Sequence, residues 1–292
     1  MGMEEQWVLF EKDKERKIAS ITLNRPETLN ACNLAMWDRI NHLVQEVDED
    51  EDVKVLIFKG RGRCFSSGHD VSELGYMHGY GSGEHGERRP SQRQRIFIDC
   101  NHFMGKRGWC QTILDCKKAT IAQVHSYCYG GGLNIVLESD LAVAAEDSLF
   151  THPGWRYIGP STDVWLMLET LGLKKAKEMM LTGTPINASE ALECGLVNKV
   201  VPLDKLEEET MKLAETMASL PFDGIVIGKV QFEAALEAMG MGSALTASYI
   251  LHCLQTGIRY EPGEFNLFRE RREKGVKGAL VSREKHYKEI NQ

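Results

Sequence analysis

The chain lacks most features that would set it apart from an ordinary globular enzyme. It has no basic excess: 35 Lys and Arg stand against 42 Asp and Glu, a net charge of -7. A nucleic-acid binder usually carries a basic stripe, so nucleic acid is not an expected partner. No apolar run approaches the roughly 18 residues that a membrane span needs, and no membrane association is expected. The first residues, MGMEEQWVLFEKDKERK, are charged and contain no apolar signal core. A cytoplasmic location is therefore the expectation. MGMEEQ also lacks the Ser or Thr of a myristoylation signal.

Paired cysteines at metal or redox spacing are missing too. None of the eight cysteines forms a C-x-x-C pair, which argues against a zinc ribbon or a thioredoxin-like dithiol. Reduced, mostly buried thiols and no metal site are expected. Phosphate-binding and hydrolase signatures are absent: there is no G-x-x-x-x-G-K-[ST], no G-x-S-x-G and no H-E-x-x-H. YGGGLN does not match the dinucleotide fingerprint G-x-G-x-x-G.

What is present is a 292-residue chain, 42% hydrophobic and 26% charged. That is enough to bury one core with a helical appendage. Residues 17–23 (KIASITL) alternate as a strand does. Asn33 opens an amphipathic helix to about Val47, with Leu34, Trp37, Ile40, Leu43, Val44 and Val47 on one stripe. Strands are predicted at 53–58, 120–124 and 141–145, and a helix at 133–137. The repeated strand, strand, helix units favour a stacked α/β spiral over a doubly wound sheet. Residues 76–94, rich in Gly, His and Arg, read as a loop. Beyond Pro202 the pattern is wholly helical, and a domain change is expected near Pro202 to Pro221. The charged stretch from Glu264 reads either as a solvated helix or as an arm on a neighbouring subunit.

Four segments occur together in a telling order: ITLNRPETLNACN (21–33), GRGRCFSSGHDVSEL (60–74), AQVHSYCYGGGLNIVLESDLAVA (122–144) and SLFTHPGWRYIGPSTDVW (148–165). Jointly they resemble the crotonase (enoyl-CoA hydratase/isomerase) superfamily over about residues 5–205. The resemblance implies a crotonase-like ββα spiral core with the active site over residues 1–205. It also implies an all-helical C-terminal trimerisation region over 206–292, and homotrimers or homohexamers. The implied substrate is an acyl-CoA thioester, with no cofactor beyond the coenzyme A of the substrate itself.

Physical reasoning runs alongside. A thioester losing an α-proton, or attacked at its β-carbon, builds charge on its carbonyl oxygen, and two backbone N–H groups aimed there stabilise it. FSSGHD is expected to end a strand and open a helix, and YGGGL to lead into another. By resemblance the two donors are the amides of His69 and Gly131. Residues Ser67, His69, Asp70, Val71 and Ser72 would line the coenzyme A, and Gly131 and Asn134 are further substrate-binding candidates.

The chain departs from the family pattern at the acid–base positions. Hydratases of the family hold water with two glutamates; Asn134 and Gly154 stand at those positions here. Asn cannot accept a proton and Gly has no side chain, so ordinary hydration is not expected. Asp163 resembles the aspartate of dienoyl-CoA isomerases, and related positions serve enzymes that cleave carbon–carbon bonds in cyclic β-diketones. His152 and His125 lie nearby in the family layout, and a His–Asp pair could activate water. Each has a plainer role open to it: helix capping for Asp163, structural hydrogen bonding for His152 and His125, and coenzyme A contact or exposure for the His69 side chain. Isomerisation and ring-opening hydrolysis are the leading chemistries. A hydratase with substitute residues and a non-catalytic CoA-binding scaffold are the alternatives.

Overall fold

The computed structural model describes residues 6–73, 91–94, 96, 108, 111–156, 164–254 and 258–290. Strand β1 (Val8–Asp13) turns back antiparallel onto β2 (Ile18–Leu23) at one edge of the main sheet. Ile18 faces one side of the sheet and Ala19, Ile21 and Leu23 the other, and all four are buried. A strand reads this way when layers cover both sides of the sheet. Helix α1 (Leu34–Glu49) starts where Asn33 accepts a hydrogen bond from the Met36 amide, the N-cap its position predicts. Its buried stripe is Met36, Trp37, Ile40, Leu43, Val44 and Val47.

Parallel strands then build the sheet. β3 (Val55–Gly60) lies beside β2, and β4 (Ala119–Val124) beside β3. Next come β5 (Tyr127–Tyr129), α2 (Gly131–Glu138), β6 (Leu141–Ala145), β7 (Leu149–Thr151) and α3 (Val164–Thr182). β8 (Ile186–Asn187), α4 (Ala188–Glu193) and β9 (Lys199–Val201) complete this half. The main sheet has the order β1-β2-β3-β4-β6-β9, and a small second sheet has the order β5-β7-β8. Each turn of chain thus lays one strand in each sheet and then a helix: β4, β5, α2, and again β6, β7, α3. This is the ββα spiral the sequence led us to expect.

The described chain beyond Pro202 has no strand after Val201 and is built of helices α5 (Leu206–Ala218), α6 (Phe222–Ala238), α7 (Met241–Leu254) and α8 (Leu267–Ile290). Helix α5 is part of the core: Leu206 and Ala214 pack with Val55, Ile57, Ile121 and Val143 on the sheet face away from α1. Helix α8 has much of its length exposed. It packs on its own chain, where Leu267 and Ala279 meet Val71, and the Arg271 guanidinium donates to the Val71 carbonyl at 2.6 Å. Of the expected 76–94 loop only Ser91–Gln94 is described, and 92–94 are helical. The six described cysteines are free thiols, five of them buried. Among the described residues no helix is long and apolar enough to cross a membrane.

The turn before α1 ties the fold together. Asn30 is fully buried in a left-handed conformation (φ 53), which Asn tolerates better than most residues. Its side-chain oxygen accepts from the Arg25 amide at 2.9 Å. Its Nδ2 lies 2.9, 2.8 and 3.1 Å from the carbonyls of Arg61, Cys64 and Phe65. Asn30→Ala strands these buried groups and removes the side chain that favours the turn. Urea denaturation is expected to show a loss of about 3 kcal/mol; a loss below about 1 kcal/mol would show that the turn does not depend on this amide.

Candidate active site

Two backbone segments meet beneath α2. In the first, the Ser66 hydroxyl donates to the Asn30 carbonyl at 2.8 Å and accepts from the Gly68 amide at 3.1 Å. The Cys32 amide donates to the Gly68 carbonyl, and the Asp70 amide donates to the Cys32 carbonyl. His69 is bridged to Cys32 between these two bonds. In a parallel bridge the middle residue's own N–H and C=O point away from the partner strand. The His69 amide therefore faces the other side, where β5 and the glycine triplet run: the Tyr129 amide donates to the Ser66 carbonyl.

The second segment is that triplet. Gly131 is the first residue of α2, so its N–H is among those a helix cannot satisfy internally. The two segments come so close that only glycines fit. A Cβ on Gly68 (φ 98) would stand 2.7 Å from the Tyr129 carbonyl oxygen and 3.2 Å from the Gly131 nitrogen. A Cβ on Gly131 would stand 2.7 Å from the Trp37 ring and 3.3 Å from His69 Nε2.

One expectation needs correction. His69 is not at a helix N-terminus: the described residues 69–73 form the bridge to Cys32 and a turn. The bridge to Cys32 sets the backbone at His69, and among the described residues the helix N-terminus at this junction is that of Gly131.

The remaining candidate residues divide by what holds them. The Ser67 amide donates to the Leu29 carbonyl, and its hydroxyl reaches the Thr28 carbonyl at 3.4 Å. Asp70 accepts from the Arg25 guanidinium at 3.0 Å and from the Ser72 hydroxyl at 2.6 Å. Burial pushes the Asp70 carboxyl up, but the Ser72 and Arg25 bonds outweigh it and hold it below the usual carboxylate range. Val71 packs on the α8 cluster. The side chains of this segment thus secure the loop and leave its backbone to face a ligand.

Asn134 lies one turn along α2 from Gly131, buried, and among the described residues its side-chain oxygen has no hydrogen-bond partner. His152 follows Thr151, whose carbonyl accepts from the Gly130 amide at 2.9 Å, so it sits beside the triplet. His125 is tied elsewhere: its Nε2 is 3.0 Å from the Gly62 carbonyl oxygen, and no described contact joins its ring to the triplet. Gly154 opens a short 3-10 turn. Asp163 lies outside the described residues.

Trp37, Arg25 and Arg271 were not singled out by the sequence as site residues. Trp37 reads as one more member of the α1 stripe, yet its indole N–H donates to His69 Nδ1 at 3.0 Å. Arg25 belongs to the NRP segment, and only its spatial pairing with Asp70 shows its use. Arg271 lies in a charged tail with nothing to mark it.

Burial pushes the His152 pKa from 6.5 down to about 4. Its neutral form is therefore the native one, and the unfolded chain binds the extra proton first. The stability it lends is complete above pH 6.5 and is lost as pH falls through about 4. Urea midpoints measured across this window should fall less steeply for His152→Gln than for the wild type. Parallel curves would show that His152 is not desolvated.

Comparisons with known proteins agree with this geometry. Residues 13–256 match the enoyl-CoA hydratase/isomerase family model. The chain is 33% identical over 232 residues to the Mus musculus protein named enoyl-CoA hydratase domain-containing protein 3, mitochondrial, covering 79% of this chain and 72% of that one. It is 28% identical over 264 residues to the enoyl-CoA hydratase, mitochondrial, of Pongo abelii, covering 89% and 84%. Among solved structures, an enoyl-CoA hydratase/isomerase from Xanthobacter autotrophicus Py2 superposes with a TM-score of 0.80 at 29% identity, covering 95% of this chain and 97% of that one. With the ββα spiral and the paired glycine segments in place, the chain belongs to the enoyl-CoA hydratase/isomerase family, within the crotonase superfamily.

Proposed function

We propose that the protein binds an acyl-CoA thioester and stabilises the enolate formed from it with the backbone amides of His69 and Gly131. The observation that carries this is the junction of the two glycine segments. The Gly131 amide opens a helix, and the His69 amide faces the same side from a backbone locked by Ser66 and Cys32. Fixed donors of this kind need no reorganisation as charge develops.

Asn134 and Gly154 replace the two water-holding carboxylates, which favours double-bond isomerisation or carbon–carbon hydrolysis over hydration. In isomerisation a base removes the α-proton and the electron pair moves onto the thioester oxygen. An isomerase then returns that proton to another carbon. In ring-opening hydrolysis the base instead takes a proton from water as its oxygen bonds to a ring ketone carbon; the carbon–carbon bond breaks, its electron pair moves onto the thioester oxygen, and the α-carbon then takes the proton. Asp163 is our candidate base. His152 is the weaker choice, because burial disfavours its protonated form. Ordinary hydration by substitute residues is the second reading, favoured by the names of the two relatives described above.

Titration calorimetry should show an acyl-CoA binding far more tightly than its parent acid, since the nucleotide handle supplies binding energy. Equal or absent binding of both would remove the thioester reading. Asp163→Asn should lower turnover about 100-fold or more with thioester binding intact. A fully active variant would remove Asp163 from the mechanism. Brisk hydration of crotonyl-CoA by the wild type would restore the hydratase reading.

Assembly follows from the same family membership. Ile227 and Phe232 on α6 and Leu254 on α7 are exposed at 68%, 73% and 55%, and burial of such surface between subunits stabilises an oligomer. We propose a homotrimer or a homohexamer. Light scattering at micromolar concentration should report one of these masses; a monomer would refute it.

A further inference from the structure

The two glycine segments are placed by separate bonds. The Ser66 hydroxyl holds the Gly68 amide, and the Thr151 carbonyl holds the Gly130 amide. One side chain meets both segments. Trp37, 5% exposed on α1, donates its indole N–H to His69 Nδ1 at 3.0 Å, and the two ring centroids are 5.2 Å apart. The same indole borders Gly131, where a Cβ would stand only 2.7 Å from its Cζ2. The His69 ring fills the adjoining space, with Nε2 and Cδ2 at 3.3 and 3.4 Å from that Cβ position.

Core packing alone does not call for an indole at this place. The rest of the buried α1 stripe is Met36, Ile40, Leu43, Val44 and Val47, none of which carries an N–H or O–H on its side chain. A buried indole needs an acceptor for its N–H, and Trp37 finds it on the loop that carries the His69 amide. Helix α1 is itself fastened to that loop: the Leu34 amide donates to the Glu73 carboxylate at 2.8 Å, and the Asp70 amide donates to the Cys32 carbonyl. Trp37 thus projects from a helix tied to one segment and packs on the other. A close-packed interior transmits such a contact as a fixed spacing. Spacing matters here, because a donor works best at about 2.7–3.1 Å from the oxygen it stabilises. A misplacement of roughly 1 Å can cost about 100-fold.

We infer that Trp37 is a positioning residue of the two-amide hole: by packing on Gly131 and bonding the His69 ring, it sets the spacing and direction of the two donors. This rests on the thioester reading above and adds to it a residue that acts through the hole. A phenyl ring at position 37 keeps the packing on Gly131 but releases the imidazole from its bond. A leucine gives up both, and lets Gly131 and His69 settle into the space the indole held. Either change acts on the hole and leaves the nucleotide handle alone. The loss therefore falls on stabilisation of the enolate, and the affinity for a thioester stays nearly the same.

The probe is acetoacetyl-CoA, a β-keto thioester that loses its α-proton to solvent and whose enolate absorbs at longer wavelength than the neutral ligand. Titrating that absorbance with pH, on the full chain saturated with ligand, reads how strongly the hole favours the enolate. Butyryl-CoA, which forms no enolate in this range, reports thioester affinity alone by titration calorimetry. Binding to the wild type should raise the ionisation constant of acetoacetyl-CoA about 100-fold over that of the free ligand. Trp37→Phe should remove about 3- to 10-fold of that gain and Trp37→Leu about 10-fold or more, with butyryl-CoA affinity within about 3-fold of wild type in both. In a His69→Ala background Trp37→Phe should have little further effect, because the bond it removes is already gone. Should Trp37→Leu not fold, Trp37→Phe carries the test. Wild-type ionisation in Trp37→Phe, an equal effect of that change in both backgrounds, or a butyryl-CoA affinity that falls as far as the ionisation overturns the inference and leaves the thioester reading in place. Acetoacetyl-CoA bound to the wild type with no rise in ionisation overturns the two-amide hole and the inference with it. Binding of neither thioester overturns the thioester reading itself.

Discussion

The buried Asn30 amide is the constraint on which the site depends. It joins the turn before α1 to three carbonyls of the segment after β3. Through its own carbonyl it holds the Ser66 hydroxyl, which in turn holds the Gly68 amide. One residue further along is the amide that faces the glycine triplet. Precision at a backbone donor has to come from bonds of this kind, because no side-chain rotamer can set the direction of an N–H group. Arg25 closes the same unit from the other side, reaching the Ala31 carbonyl at 2.8 Å and Asp70 at 3.0 Å.

Much of this was legible in the sequence, for physical reasons. The α1 stripe has helical period and a capping Asn33, and both hold. The alternation of 17–23 and the apolar 53–58 and 141–145 report strands covered on both sides. The glycine triplet marks a close approach of backbones, and the structure shows what approaches: Gly68, Trp37 and His69. Other features were not legible. β1 lies at the sheet edge and half of its residues are partly exposed, so its pattern is weak. The FSSGHD segment looks like a strand running into a helix, but its pairing partner is Cys32, 37 positions earlier in the chain. Pairing over that separation leaves no local signal. The docking of α8 on Val71 is equally non-local, and its charged sequence left open a solvated helix or an arm on a neighbouring subunit.

In the proposed function the two halves of the site have different tolerances. A hole made of backbone amides survives any side-chain change that keeps the backbone in place. In the same reading positions 134 and 154 would contribute through side chains, and Asn134 and Gly154 stand there. The same fold can thus keep its charge-stabilising part and exchange its acid–base part. Enolate chemistry then remains available while the fate of the enolate differs.

The exchange at 134 is not neutral in energy. A glutamate there would be an anion needing strong donors; an amide needs only matched ones. In α2 every side chain from Gly131 to Glu138 is buried, so whatever occupies position 134 must find its partner inside the protein or in the ligand. Among the described residues the Asn134 oxygen has no hydrogen-bond partner. A buried acceptor left unpaired costs free energy, whereas an apolar side chain at the same place would carry no such cost.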